Sequence, residues 1–181
     1  IELIGIYPSS QLSQETLDLF QEYADEVASA IYTNHEVDGI ILDMSKGVSG
    51  SIVPQISGLS PLFPDGNILK YISNNGGITK EAYIDGGLFY QTNKNPEETF
   101  TFELNNYKEK IDKPVAVIIN ERVASAGEIL LIGLMNLDNV KTFGSETAGF
   151  TSGNATFNIG ENIAISLTIT KTMDNTGIIY E

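Results

Sequence analysis

One serine of the sequence has the surroundings that a nucleophile needs. The chain reads PVAVIINERVASAGEILLIGL over residues 114–134, so Ser125 follows an apolar run typical of a strand and precedes one typical of a helix. Ala126 and Gly127 follow it directly, and Glu128 comes three residues after it. A serine at such a junction can attack a carbonyl carbon, because free N–H groups at a helix N-terminus can stabilise the resulting oxyanion.

The same spacing is also typical of a helix cap. In a capping box, a serine at the N-cap position and a glutamate at position N3 satisfy main-chain N–H groups reciprocally. Ser125 and Glu128 fit that pattern as well. The local pattern therefore leaves two interpretations open, a nucleophile and a cap.

A second group of main-chain donors is expected in the loop after a neighbouring strand. The segment VDGIILD at 37–43 predicts a short buried parallel strand, and MSKGVSGS at 44–51 follows it as a loop of small residues. Loops at the carboxyl ends of parallel strands meet at one edge of the sheet. We therefore expect the N–H of Ala126 and that of Ser49 or Gly50 to face one carbonyl oxygen.

The elements that hold these loops follow from hydrophobic periodicity. Residues 1–7 predict a strand, and apolar residues at steps of three and four predict an amphipathic helix after an N-cap at Ser13. With the strand at 37–43 these make a βαβ unit. Further along the chain, the pattern predicts a short helix after 51, a strand at 114–120, a helix at 125–136, a strand at 139–144, and antiparallel strands from 157 to the end.

The middle of the chain predicts an insertion into this α/β core. Residues 67–90 alternate as strands around two glycine turns, and 91–113 is polar and charged, typical of a mobile loop or an edge element. We therefore divide the chain into a first part of the core at 1–66, an inserted hairpin or cap-like element at 67–113, and a second part of the core at 114–181.

Composition narrows the class of partner. The 181 residues include 24 acidic and 10 basic ones, a net charge of −14, which disfavours nucleic acid and anionic membrane and favours cationic peptides; solubility alone would also explain it. There is no cysteine and one histidine, so the sequence predicts neither a disulfide nor a metal site, and no cofactor. No run is long and apolar enough for a membrane helix.

Three separated segments resemble successive signature segments of the tail-specific, or C-terminal-processing, serine protease family. They are DGIILDMSKGVSGSIVPQISGLSPLF at 38–63, PVAVIINERVASAGEILLIGLMNLDNVKTFGSETAGFTSGN at 114–154, and IAISLTITKTMDNTGIIYE at 163–181. The resemblance is to the branch that contains the tricorn core and bacterial nisin-resistance proteases. It implies a crotonase-like or ClpP-like α/β core.

The resemblance also implies roles for individual residues. It implies that Ser125 is the nucleophile and that Ala126 and Gly50, or its neighbour Ser49, supply the oxyanion hole. Glu128 matches the glutamate of the family's motif, while its role in a capping box stays open. Segment 43–50 departs from the family's usual Asp-Leu-Arg-Gly-Asn-x-Gly-Gly and lacks its arginine.

The base that would activate the serine is missing from the family's positions. Residues 147–153 contain no lysine, and the sequence has no Asp-Gly-His-Ser-like segment. His35 is predicted at a helix C-terminus away from the site, and Lys46 is predicted to be solvated. Glu181 matches a glutamate that orients the base in tricorn-like relatives, or it is an ordinary strand-end carboxylate.

The sequence thus predicts a serine peptidase core that cleaves peptides, cationic or lantibiotic-like ones among them, outside the cytoplasm. We expect the chain to be a fragment whose histidine base lies in a preceding segment, so that the fragment alone is inactive. The alternatives are an inactive peptide-binding module of the same fold and a crotonase-like hydrolase or lyase, which the absence of a coenzyme signature disfavours. The sequence does not predict an oligomeric state.

Overall fold

The computed structural model describes residues 1–7, 13–34, 36–93, 95–160 and 163–181. Within these ranges the helices are α1 (Gln14–Thr33), α2 (Ile52–Gly58) and α3 (Ala126–Met135). The strands are β1 (Ile40–Asp43), β2 (Gly66–Ser73), β3 (Ile78–Asp85), β4 (Leu88–Asn93), β5 (Phe100–Glu103), β6 (Val115–Ile119), β7 (Val140–Gly144), β8 (Gly153–Asn158), β9 (Ala164–Asp174) and β10 (Ile179–Tyr180).

The strands form two sheets of opposite character. A three-stranded sheet in the order β1-β6-β7 is parallel throughout; β1 and β6 are short and largely apolar, whereas most of β7 is exposed. A seven-stranded sheet runs in the order β10-β9-β2-β3-β4-β5, with β8 paired to β9, and every pair in it is antiparallel. The predicted α/β fold is confirmed.

The prediction of a regular strand at residues 1–7 is wrong. Residues 1–7 run alongside β1 and the loop after it, but they make only two isolated parallel bridges, Glu2 with Asp43 and Ile6 with Gly50. The partner of Ile6 belongs to a loop and not to a strand. A continuous ladder therefore does not form, although Leu3 and Ile6 are buried in the core.

The middle segment pairs with the end of the chain. The two predicted glycine turns do separate strands, at Gly76 between β2 and β3 and at Gly86 between β3 and β4. Of the two interpretations of 91–113, the edge element holds for β5, which pairs with β4 at the end of the sheet. Strand β2 pairs with β3 on one side and with β9 on the other, where Tyr71 lies opposite Thr172. Residues 67–103 and the C-terminal strands therefore belong to one sheet.

Helix α3 joins the two sheets. It packs against β7 of the parallel sheet, against β2 and β9 of the antiparallel sheet, and against α2. It is therefore apolar all round, and Leu130 and Leu134 are fully buried. Its N-terminus, which carries the predicted nucleophile, consequently lies between the sheets. None of the described helices combines the length and apolar character needed to cross a membrane.

Candidate active site

Ser125 occupies a strained turn at the entrance to α3. It is the N-cap residue, with φ 53° and ψ −117°, and among the described residues no other non-glycine residue has a positive φ. A non-glycine residue in such a sparsely populated backbone conformation costs about 1–3 kcal/mol. Such strain is retained where the surrounding structure enforces it, and it is frequent at active sites. Ser125 is half-buried and lines a cleft.

The buried side chain of Glu128 holds this turn in place by hydrogen bonds. Its side chain is 2% exposed and accepts four hydrogen bonds. The N–H of Ser125 donates to Oε2 at 3.0 Å, which is the glutamate half of the predicted capping box. The hydroxyl of Thr147 (2.6 Å) and the N–H groups of Gly149 and Phe150 (both 2.7 Å) fill the remaining positions. Glu128 thus ties the loop after β7 to the first turn of α3.

The glycine loop after β1 packs directly on the same turn. The N–H of Ala124 donates to the carbonyl of Val48 at 3.1 Å. A Cβ on Gly127 would lie 2.2 Å from that carbonyl oxygen, and one on Gly50, at φ +94°, would lie 1.9 Å from the carbonyl oxygen of Ile6. Both positions therefore require glycine, since any side chain would displace backbone.

Two residues of the cleft lining at this junction have main-chain N–H groups without an acceptor among the described residues. Among the described residues, none accepts a hydrogen bond from the N–H of Ala126 or from that of Gly50, and both residues line the cleft. The N–H of Ser49, the alternative to Gly50 in the sequence, likewise has no acceptor among the described residues, but Ser49 does not line the cleft, and its role stays a prediction.

The cleft has a volume of about 610 Å³ and lies between the antiparallel sheet on one side and the glycine loop with the first turns of α2 and α3 on the other. The antiparallel sheet supplies much of its wall, which the sequence did not indicate. Strands β2 to β4 contribute Tyr71, Thr79, Lys80, Gln91 and Asn93, and the base of the β8–β9 hairpin contributes Ser152, Gly153, Asn154, Ile169 and Thr170. No local pattern marks these residues, because the β2–β9 pairing that brings them together joins distant parts of the chain.

Few of the cleft-lining groups titrate. Of those in the described ranges, only Tyr71 and Lys80 do so, and neither histidine nor a carboxylate lines the cleft. Burial raises the pKa of Tyr71 above its ordinary value, and a hydrogen bond with Gln91 offsets this only in part. Tyr71 therefore stays a neutral phenol, which can donate a hydrogen bond but does not take the proton of a serine. Lys80 is exposed.

The other predicted site residues lie elsewhere. Glu181 is exposed, forms an ion pair with Lys171 of β9, and does not line the cleft; its role in orienting a base stays a prediction. Lys46 is exposed and also lies outside the cleft lining, as predicted. His35 falls outside the described residues. The described ranges contain no group of three His, Asp or Glu side chains arranged for a metal ion.

Comparisons with known proteins identify a family and individual proteins that this chain resembles. The family model described as peptidase family S41 matches residues 14–178. The nisin-resistance protein of Lactococcus lactis subsp. lactis is 29% identical over 160 residues, which are 88% of this chain and 48% of that protein.

Solved structures show the same fold. A lipoprotein from Streptococcus agalactiae superposes with a TM-score of 0.69 at 25% identity, over 99% of this chain and 57% of that one. The photosystem II D1 C-terminal processing protease superposes with a TM-score of 0.58 at 16% identity, over 98% of this chain and 38% of that one. The chain therefore spans about half the length of the Lactococcus protein and of the Streptococcus lipoprotein.

Proposed function

The chain belongs to peptidase family S41, and from that premise we propose that its cleft is the substrate site of a serine peptidase in which Ser125 is the nucleophile. The observation that carries the proposal is the junction at the start of α3. There a half-buried serine in a strained conformation shares a cleft with two main-chain N–H groups that have no acceptor among the described residues.

In the proposed reaction the Oγ of Ser125 forms a bond to the carbonyl carbon of the substrate while a base takes the hydroxyl proton. The carbonyl oxygen becomes an oxyanion and accepts hydrogen bonds from the N–H groups of Ala126 and Gly50. The C–N bond then breaks, the base returns the proton to the leaving amine, and water hydrolyses the acyl-enzyme. In this mechanism Glu128 contacts no reacting atom. Its hydrogen bonds hold Ser125 and the loop after β7 in fixed positions relative to each other.

We propose that the base comes from outside the described cleft lining. Tyr71 is held in its neutral form by burial, and the described lining offers no histidine or carboxylate. This composition also supports the alternative, an inactive module that binds peptides without cleaving them. Either way, we expect the 181-residue chain by itself to show negligible peptide hydrolysis.

The proposed substrates are peptides, cationic ones included, met outside the cytoplasm. The name of the Lactococcus relative points to nisin, and the net charge of −14 attracts cations over a distance. The described cleft lining supplies no counter-ion for a cationic side chain, and Lys80 is its one charged member. Any preference for cationic peptides would therefore come from the long-range electrostatic field of the whole molecule and not from a charged group in the cleft.

Replacing Ser125 tests the nucleophile. In the intact protein we expect Ser125→Ala to lower kcat for peptide hydrolysis by at least about 10³-fold, since the covalent route is lost. The control is Ser166→Ala, the same change at an exposed position on β9, which should leave kcat unchanged. Wild-type rates in Ser125→Ala would refute the proposal. An intact wild-type protein that binds a peptide without cleaving it would favour the inactive module.

A further inference from the structure

Gln55 is a buried polar residue placed directly behind the glycine loop. It lies on α2, and its side chain is 0% exposed. Its Nε2 donates a hydrogen bond to the carbonyl oxygen of Ser49 at 2.8 Å. Its Oε1 has no hydrogen-bond partner among the described residues. Burying an amide with one end unsatisfied is costly, so the contact with Ser49 is the feature that distinguishes glutamine from an apolar residue here.

That contact determines where the neighbouring N–H points. The carbonyl of Ser49 and the N–H of Gly50 belong to one planar peptide unit and point in opposite directions in the trans form. The carbonyl oxygen is held by two donors, Gln55 Nε2 at 2.8 Å and the N–H of Ile6 at 3.2 Å. Fixing the oxygen on the side of Ile6 and α2 leaves the N–H of Gly50 on the opposite side of the unit.

The orientation needs such an anchor because Gly50 does not enforce it. Rotation of the Ser49–Gly50 peptide unit changes ψ of Ser49 and φ of Gly50. Glycine populates both signs of φ about equally, so it opposes that rotation far less than other residues do. The N–H of Ser51 donates to the carbonyl of Ile6 at 2.6 Å and anchors the next peptide unit. Without Gln55, however, the Ser49–Gly50 unit itself would keep one hydrogen bond, from Ile6 at 3.2 Å, the long end of the usual range.

We propose that Gln55 is a positioning residue for the oxyanion hole, which holds the Ser49–Gly50 peptide unit so that the N–H of Gly50 faces the reacting carbonyl. The inference rests on the proposed function of the cleft. It predicts that Gln55 acts on the chemical step and not on ground-state substrate binding, because the oxyanion exists only after attack.

Two substitutions in the intact protein test this role. Gln55→Met removes the donor at similar volume, and we expect kcat to fall about 10- to 100-fold, less than the loss of a whole oxyanion donor, with little change in KM. Gln14→Met makes the same change at an exposed position on α1 and should have no effect. Thermal unfolding of each variant reports whether it is folded at the assay temperature.

Gln55→Glu provides a readout that a merely structural role would not produce. A neutral carboxyl can donate to the Ser49 carbonyl, whereas the ionised form cannot and would repel it. We expect kcat of this variant to fall as pH rises through the titration of the introduced carboxyl, while wild type and Gln55→Met lack that step. A pH profile that follows wild type would overturn the proposal, as would wild-type kcat in Gln55→Met.

The outcomes separate this inference from the proposed function. Activity that survives Ser125→Ala refutes the nucleophile, whereas loss of activity in Ser125→Ala with full activity in Gln55→Met refutes only the role of Gln55. Should neither Gln55 variant fold, NMR of the wild type decides. A through-hydrogen-bond coupling between the Gln55 side-chain amide and the Ser49 carbonyl is expected, and its absence would overturn the proposal.

Discussion

Glu128 is the single residue on which most of the candidate site depends. A buried carboxylate is costly unless its oxygens are satisfied. Here the main-chain and hydroxyl donors of two segments satisfy it, the turn at Ser125 and the loop at 147–150. Within the described ranges it forms no ion pair, so neutral dipoles alone stabilise its charge. That arrangement fixes geometry at the serine without placing a charge in the cleft.

Replacement of Glu128 should therefore destabilise the fold around the serine. Glu128→Gln keeps the volume but puts an NH₂ group against donors, so we expect the free energy of unfolding to fall by about 2–4 kcal/mol. Urea denaturation measures this, with Glu121→Gln as a control, because Glu121 is exposed on the preceding turn. Equal stabilities of the two variants would contradict the role given to Glu128.

At the scale of single residues, the sequence predicted only interactions between residues that are close together in the chain. The spacing of Ser125 and Glu128 predicts both a cap and a nucleophile, and the structure contains the hydrogen bond from the Ser125 N–H that the cap interpretation requires. The contacts of Glu128 with Thr147, Gly149 and Phe150 were not predictable, because no local pattern encodes which distant loop reaches a buried carboxylate.

At the scale of elements, the β9–β10 hairpin is held by another buried carboxylate. Asp174 is 1% exposed and accepts from the N–H and hydroxyl of Thr176, the N–H of Ile178 and the hydroxyl of Tyr180. Burial alone would raise its pKa, but these hydrogen bonds outweigh burial and hold the pKa below its ordinary value. They also fix the strand end that precedes Glu181.

This lowered pKa makes the hairpin's contribution depend on pH. Because the folded pKa lies below the unfolded one, the ionised carboxylate stabilises the fold fully above about pH 4 and loses that effect as pH falls through the folded pKa. Asp174→Ala should lower the free energy of unfolding by about 1–3 kcal/mol at pH 7.

Urea titrations between pH 7 and pH 3 check this, and the difference from wild type should shrink toward pH 3. Asp138→Ala, at an exposed position after α3, should show no such trend. A difference that is as large at pH 3 as at pH 7 would contradict the hydrogen-bonded carboxylate as its source.

Elements with strong periodicity were the predictable ones. The N-cap at Ser13 and the start of α3 after Ser125 follow from the local pattern, since capping and amphipathicity act within a few residues. Residues 1–7 have the composition of a strand but lie against a loop for half their length, and composition does not reveal the partner.

At the scale of the whole molecule, the cleft is assembled from four separated parts of the chain: the glycine loop with the start of α2, strands β2 to β4, the start of α3, and the β8–β9 hairpin. The sequence predicted that the glycine loop and the start of α3 lie together at one edge of the parallel sheet. It predicted a hairpin or cap-like element at 67–113, but not that this element shares a sheet with the C-terminal strands, because that depends on the pairing of residues 71 and 172, which lie far apart in the chain.

The distribution of charge at this scale leads to the last prediction. The chain carries −14, yet the described cleft lining contains no carboxylate and includes Lys80. A preference for cationic peptides would therefore arise from long-range attraction, which salt screens over about 30 Å at 0.01 M and about 3 Å at 1 M. We expect kcat/KM of the intact protein to favour a cationic peptide over a neutral peptide of matched length by about tenfold at 10 mM salt.

This advantage should nearly disappear at 0.5 M salt, because screening then confines the field to the immediate surface. The neutral peptide serves as the control, since its kcat/KM should change little with salt. A preference that persists unchanged at high salt would show instead that a cationic side chain meets a carboxylate in direct contact, and it would place that carboxylate outside the described lining of the cleft.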